Sequence, residues 1–252
     1  NIALGFEALR ANSTGNYNSA AGSQALYTSI TSDQNTAFGA RSLFYNTEGG
    51  YNTAAGSFSL YTNTTGNENV AIGSHALFLN STGNYNVASG TNALLNNTSG
   101  SDNTAIGYQA LTDNTNAEGN TAVGYQSLKS NTTGTFNTAT GTSSLKNNTT
   151  GEHNTANGVA ALVANTTGHG NTAAGFWSLY ANETGNENTA FGVGALSSVT
   201  AADGNTAVGA RALNTETAGT YNTAMGADAL GMNSTGSYNT ALGYKAYYLG
   251  NA

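Results

Sequence analysis

Asn103-Thr104-Ala105-Ile106-Gly107, followed shortly by Ala110-Leu111, decides how the chain is read. The same Asn-x-Ala-x-Gly pattern begins at residues 1, 18, 35, 52, 69, 86, 103, 120, 137, 154, 171, 188, 205, 222 and 239, a period of 17 without insertion or deletion. Constant register over fifteen copies is the mark of a repeat architecture, in which one short unit stacks on copies of itself. Counting from the Asn, position 1 is always Asn, position 3 Ala and position 5 Gly, and position 8 is Ala or Ser. Position 9 is Leu in every copy from Leu9 to Leu230, with Tyr247 in the last. Richness in Gly, Asn, Ser and Thr is a cue for disorder, but a disordered chain needs no apolar residue at fixed phase.

No apolar stripe of helical period persists, and each short unit carries Asn, Thr and recurrent Gly, which favour turns and strands over helix. The reading is two short β segments per unit, at positions 2 to 5 and 7 to 11. In the first, alternation puts Ala and Gly on one face and positions 2 and 4 on the other. The invariant small residues mark a close approach, favouring a restricted interior. Position 4 varies through Leu4, Phe38, Ile72, Ile106, Val123, Phe191 and Leu242, mostly apolar apart from Ser89, Thr140 and Asn157, which suits a seam against another chain. Leu at position 9 reads as a stacked interior ladder. Position 10 mixes Tyr27, Phe44, Tyr61, Phe78 and Tyr180 with Lys129, Lys146 and Asn214, as on a partly exposed surface. Those five aromatics are the candidate contact set, weighed against plain surface packing.

A polar corner follows, as in Asn131-Thr132-Thr133-Gly134. Asn and Thr side chains cap turn backbone, and Gly at position 15 would permit a positive φ. Stacked copies would align the Asn side chains into hydrogen-bonded columns, uninterrupted at position 1. The expected fold is all-β: a parallel β-solenoid or β-roll with one 17-residue repeat per coil. Residues 1–252 read as a single repetitive segment of a longer protein, with fifteen coils, the last incomplete. Its structural ladder is represented by Asn103, Ala105, Gly107 and Leu111, and again by Asn137, Ala139, Gly141 and Leu145. One Leu and a few Ala per coil make a thin core, so association of several chains is expected to supply further burial.

Composition narrows the function classes. Thirteen Asp and Glu stand against six Lys and Arg, a formal charge of −7, with no basic footprint for nucleic acid or anionic lipid. No apolar run reaches membrane-spanning length, so no direct membrane insertion by this segment is expected. The chain has no Cys and hence no disulfide or thiolate chemistry. His75, His153 and His169 share no repeat phase, no Ser or Thr has an activated-nucleophile context, and the glycines form no phosphate loop. The expectation is no enzyme, no catalytic residue, no cofactor and no metal.

A slower rhythm overlies the repeat. Gly at position 15 is replaced by Ser32, Ala117 and Ala202, 85 residues apart, each followed by an acid: Asp33, Glu118 and Asp203. This reads as a five-unit duplication or as a specialised rung offering acids to a ligand. The acids are too far apart along a stack to form one calcium site. Asn-x-Ser/Thr at Asn12, Asn63, Asn80, Asn97, Asn131, Asn148, Asn165, Asn182 and Asn233 matches an N-glycan acceptor, although the corner generates this spacing by itself. Threonine-rich corners raise an ice-binding alternative.

The segments Thr104–Gly107 and Val70–Gly73 resemble the small-residue signature of trimeric autotransporter adhesin heads, with similar repeats in bacterial surface proteins and phage fibres. The resemblance runs through all fifteen units. The 17-residue period, with its extra corner, departs from the shorter head repeat. It implies a left-handed β-roll, a homotrimer, and an extracellular or cell-surface setting or, alternatively, a phage virion fibre. The expected function is a non-enzymatic rod or adhesin head that meets a matrix protein, glycan or cell-surface receptor. The alternative is a structural shaft or spacer.

Overall fold

The computed structural model describes residues 1–215 and 217–249. The chain is an all-β parallel solenoid with one 17-residue repeat per coil and, among the described residues, fifteen strands and no helix. It divides into two compact units, residues 1–126 and 127–252. The first carries β1 (Ile2–Leu4) to β8 (Thr121–Val123), including β7 (Thr104–Ile106). The second carries β9 (Thr138–Thr140) to β15 (Thr240–Leu242).

Within each unit every strand pairs in parallel with the next at a register of one repeat. Thr104 aligns with Thr121 and Ala105 with Ala122 in the first unit, and Thr155 with Thr172 and Ala156 with Ala173 in the second. Each strand has three residues, positions 2 to 4, and its middle Ala points inward. Ala105 and Ala139 are fully buried. Leu at position 9 fills the rest of the apolar interior: Leu111 and Leu145 are fully buried, as are their counterparts from Leu26 to Leu230.

The second expected β segment, positions 7 to 11, is not a strand. Positions 7 and 9 both adopt left-handed φ, at 56° in Gln109 and 51° in Leu111, and at 56° in Ser143 and 49° in Leu145. Their N–H groups therefore point opposite ways along the stack. Gln109 donates back to the Thr91 carbonyl at 3.1 Å, whereas Leu94 donates forward to the Ala110 carbonyl at 3.0 Å. A left-handed residue with a Cβ costs about 1–2 kcal/mol. Bonds to both neighbouring coils and burial of the Leu side chain offset it.

Gly at position 5 is small for a different reason from the one expected. A Cβ on Gly141 would lie 2.6 Å from the carbonyl oxygen of Gly158, and one on Gly107 would overlap the Gly124 carbonyl. The constraint comes from the next coil of the stack and not from a partner across the interior. A φ of 132° at Gly107 and 127° at Gly141 reinforces it. Gly at position 15 also corrects the expectation. Gly134 has no left-handed φ; a Cβ there would overlap the Gly151 carbonyl and sit 2.7 Å from Asn131 Oδ1. Space, not φ, selects glycine at the corner.

Two amide columns complete the interior. Asn103 is fully buried: its N–H donates to Asn86 Oδ1 at 3.1 Å, its Nδ2 to the Ala117 carbonyl at 2.8 Å, and its Oδ1 accepts the Asn120 N–H at 3.0 Å. Asn137 plays the same part in the second unit, giving Nδ2 to the Gly151 carbonyl at 2.8 Å and accepting the Asn154 N–H at 3.0 Å. The second column is position 12. Asn97 Nδ2 donates to Asn80 Oδ1 and to the Gly100 carbonyl, both at 2.9 Å.

Candidate functional site

The position-12 column bears directly on the glycan acceptors read from the sequence. Asn63, Asn80, Asn97, Asn131, Asn148, Asn165, Asn182 and Asn233 are fully buried, with their amides turned into the coil. They are closed to modification once the coil has formed; their Asn-x-Ser/Thr spacing is a by-product of the corner. The acidic turns also have structural work. Asp33 accepts the Asn16 N–H at 2.6 Å. Asp203 accepts the Asn186 N–H at 2.7 Å and its Nδ2 at 3.1 Å. Asn67 does the same for the Gly50 N–H at 2.8 Å. A carboxylate thus substitutes for an amide oxygen as the acceptor for the preceding coil. Among the described residues, no cluster of three or more His, Asp or Glu could hold a metal ion.

Four of the five candidate aromatics come together in the first unit. Tyr27 and Phe44 stack at 4.8 Å and 3°, Phe44 and Tyr61 at 5.3 Å and 24°, and Tyr61 and Phe78 at 5.1 Å and 3°. One aromatic per coil places ring on ring, close to the ~4.8 Å spacing of paired strands. Tyr45 meets Phe44 edge-on at 4.7 Å. Position 7 runs alongside, with Phe58 and His75 stacked at 5.2 Å, and with the Arg41 guanidinium 5.9 Å from the Phe44 ring and 5.8 Å from Phe58. Burial, then the neighbouring Tyr45 hydroxyl, pushes the Tyr61 phenol above its usual range. All four ladder rings are half-buried. Inside the ladder each ring face is covered by the next ring, so the column shows solvent its edges. That arrangement packs the surface and leaves Phe44 and Tyr61 no open face for a ligand.

Tyr180, the fifth candidate, lies in the second unit beside Trp177, at 5.4 Å and tilted by 53°. Here the side-chain columns are interrupted. Phe176 and Trp177 stack at 4.6 Å, and next to them opens a groove of about 410 Å³. Its other walls are Val193, Gly194, Ser197, Ala210, Arg211 and Asn214. The signal was present in the sequence: Gly194 is the only glycine at position 7 in the chain. At one end, Arg211 forms a bidentate pair with Asp228 at 2.8 and 3.1 Å. That hydrogen bond holds the Asp228 carboxyl below its usual range.

The third surface is the outer face of the strands. Position 4 projects there, leaving Phe38 66%, Ile72 48% and Ile106 43% exposed in the first unit, and Phe191 45% and Met225 44% in the second. Comparison with protein-family models, curated proteins and solved structures finds no match for the chain.

Proposed function

We propose that the chain is a non-enzymatic structural segment that works outside the cell, as an adhesin head or the shaft that carries one, assembled as a homotrimer of left-handed rolls. The observation that carries this reading is the exposed position-4 column. Each coil's interior is already filled by its own Ala, Leu and Asn, yet Phe38, Ile72, Ile106, Phe191 and Met225 stand apolar in solvent. An interchain seam requires exposed apolar side chains aligned along the stack, and position 4 supplies them in most coils, with Ser89, Thr140 and Asn157 as polar interruptions. The resemblance of Thr104–Gly107 to adhesin-head repeats supports three chains around one axis.

Matrix protein, glycan or cell-surface receptor is the proposed class of partner, reached through the faces that the seam leaves free. The position-13 hydroxyls speak for a scaffold over an ice binder. Thr64 Oγ1 donates to the Ser81 carbonyl at 2.9 Å and Thr149 Oγ1 to the Thr166 carbonyl at 2.9 Å, so their protons already serve the next coil. Sedimentation velocity at low concentration tests the assembly. A trimer is expected, and Phe38→Asp with Ile72→Asp and Ile106→Asp should release folded monomers. A stable wild-type monomer overturns it.

A further inference from the structure

The groove in the second unit is a missing rung. Position 7 places one side chain per coil in a column, and its members touch across one repeat, as Phe58 does with His75 and Arg211 with Asp228. After Trp177 the next member is Gly194, and the one after is Arg211. Coils paired by parallel strands are about 4.8 Å apart, so Trp177 and Arg211 stand about 9.6 Å apart in the column. A ring inserted midway would lie about 4.8 Å from each, the separation at which Tyr27 and Phe44 stack. No described residue fills the space. A Cβ built on Gly194 meets only Arg211 Cγ, at 3.8 Å.

The walls define what fits. Trp177 is stacked on Phe176 at 4.6 Å and still 49% exposed, so the ring surface that Phe176 leaves uncovered supplies an aromatic wall, with Val193 beside it. Arg211 directs Nε and Nη2 to Asp228, which neutralises it and leaves the Nη1 donor outside that pair. Ser197 Oγ donates to Asn214 Oδ1 at 2.8 Å, which fixes the amide and leaves Nδ2 as a second donor at the wall. One ring-sized gap, one aromatic face, two edge donors and no net charge match a ring with an apolar face and oxygen acceptors on its rim.

We infer that this groove binds a single neutral hexopyranose unit, seated on Trp177 with its hydroxyl oxygens accepting from Asn214 Nδ2 and Arg211 Nη1. The inference stands on the groove alone, and a monomer would carry the site as well as a trimer. Charged sugars are disfavoured because Arg211 is already paired.

Trp177 is the only tryptophan in the chain, so its fluorescence reports this site without labelling. Titration of the full chain with methyl glucoside, methyl galactoside and methyl mannoside should give, for at least one, a saturable emission change with a dissociation constant in roughly the millimolar range. Asn214→Ala should weaken that binding about tenfold while leaving the unliganded emission in place. Gly194→Phe is the filling control. Phe58 and Trp177 show that position 7 accepts large rings at φ 59°, so the variant should fold, keep its thermal stability and lose the response. Silence with all three glycosides overturns the inference. So does saturation by p-cresol or indole alone, which would assign the gap to an aromatic side chain, and so does unchanged sugar binding in Gly194→Phe.

Discussion

The two buried amide columns are made of the same residue and tolerate change differently. Position 1 is Asn in all fifteen copies, whereas position 12 is replaced by Ser29, Val199, Glu216 and Gly250. At position 1 the amide bonds to backbone in two coils: Asn103 Oδ1 accepts the Asn120 N–H, and Nδ2 holds the Ala117 carbonyl. A buried backbone N–H has no alternative partner if that oxygen is lost. At position 12 the contact between coils is amide to amide, Asn97 Nδ2 to Asn80 Oδ1. Side chains can be exchanged there, and at two corners position 15 changes with them. Ser29 and Ser32 replace the Asn and Gly of one corner and bond hydroxyl to hydroxyl, while Val199 and Ala202 replace them with apolar groups in another. A column that serves the backbone is invariant, and a column that serves itself drifts; positions 12 and 15 change together at Ser29–Ser32 and Val199–Ala202 and separately at Asn114–Ala117 and Glu216–Gly219.

Substitution can break this contrast, and the largest effect belongs to a position where backbone meets backbone directly. Gly107→Ala adds a Cβ against the Gly124 carbonyl at a φ of 132°. It should cost about 4 kcal/mol or more, or prevent folding, in urea melts of the full chain followed by circular dichroism. Asn103→Ala comes next, at about 3 kcal/mol, because it removes the acceptor of the Asn120 N–H and one of the two donors to the Ala117 carbonyl, which keeps only Asn114 Nδ2. Asn148→Ala should cost less, about 2 kcal/mol, since it removes only the Asn165 and Asn131 amide contacts and the Gly151 corner bond. Equal losses for Asn103 and Asn148 would refute the distinction between the columns.

The sequence displayed the fold wherever the physics acts on residue type. Asn103 is fixed by its hydrogen bonds, Ala105 and Leu111 by burial and Gly107 by space, and each shows as an invariant letter. The left-handed turns at positions 7 and 9 stayed hidden because coil-to-coil bonding imposes them. Position 7 includes Glu7, Phe58 and Trp177, types with no intrinsic preference for positive φ, so the second segment read as a strand. The surface sites were half legible. Tyr27, Phe44, Tyr61 and Phe78 shared a phase and stack as that phase implies. Phase alone does not reveal that stacking covers their faces, or that a groove opens beside Trp177, where Gly194 leaves the column without a side chain.

The smallest expected effect tests whether positions 12 and 15 are coupled. Val199 cannot donate to the preceding coil, and Asn182 Oδ1 is left buried without a hydrogen-bond partner. An unsatisfied buried acceptor costs about 1–3 kcal/mol, part of which the packed valine offsets. Val199→Asn alone should recover about 1 kcal/mol, because Asn114 beside Ala117 still donates to Asn97 Oδ1 at 2.9 Å and to the Ala117 carbonyl at 3.1 Å. Adding Ala202→Gly should change little further, and the two single changes should add to within about 0.5 kcal/mol in urea melts. A gain confined to the double variant would mean that positions 12 and 15 are coupled after all.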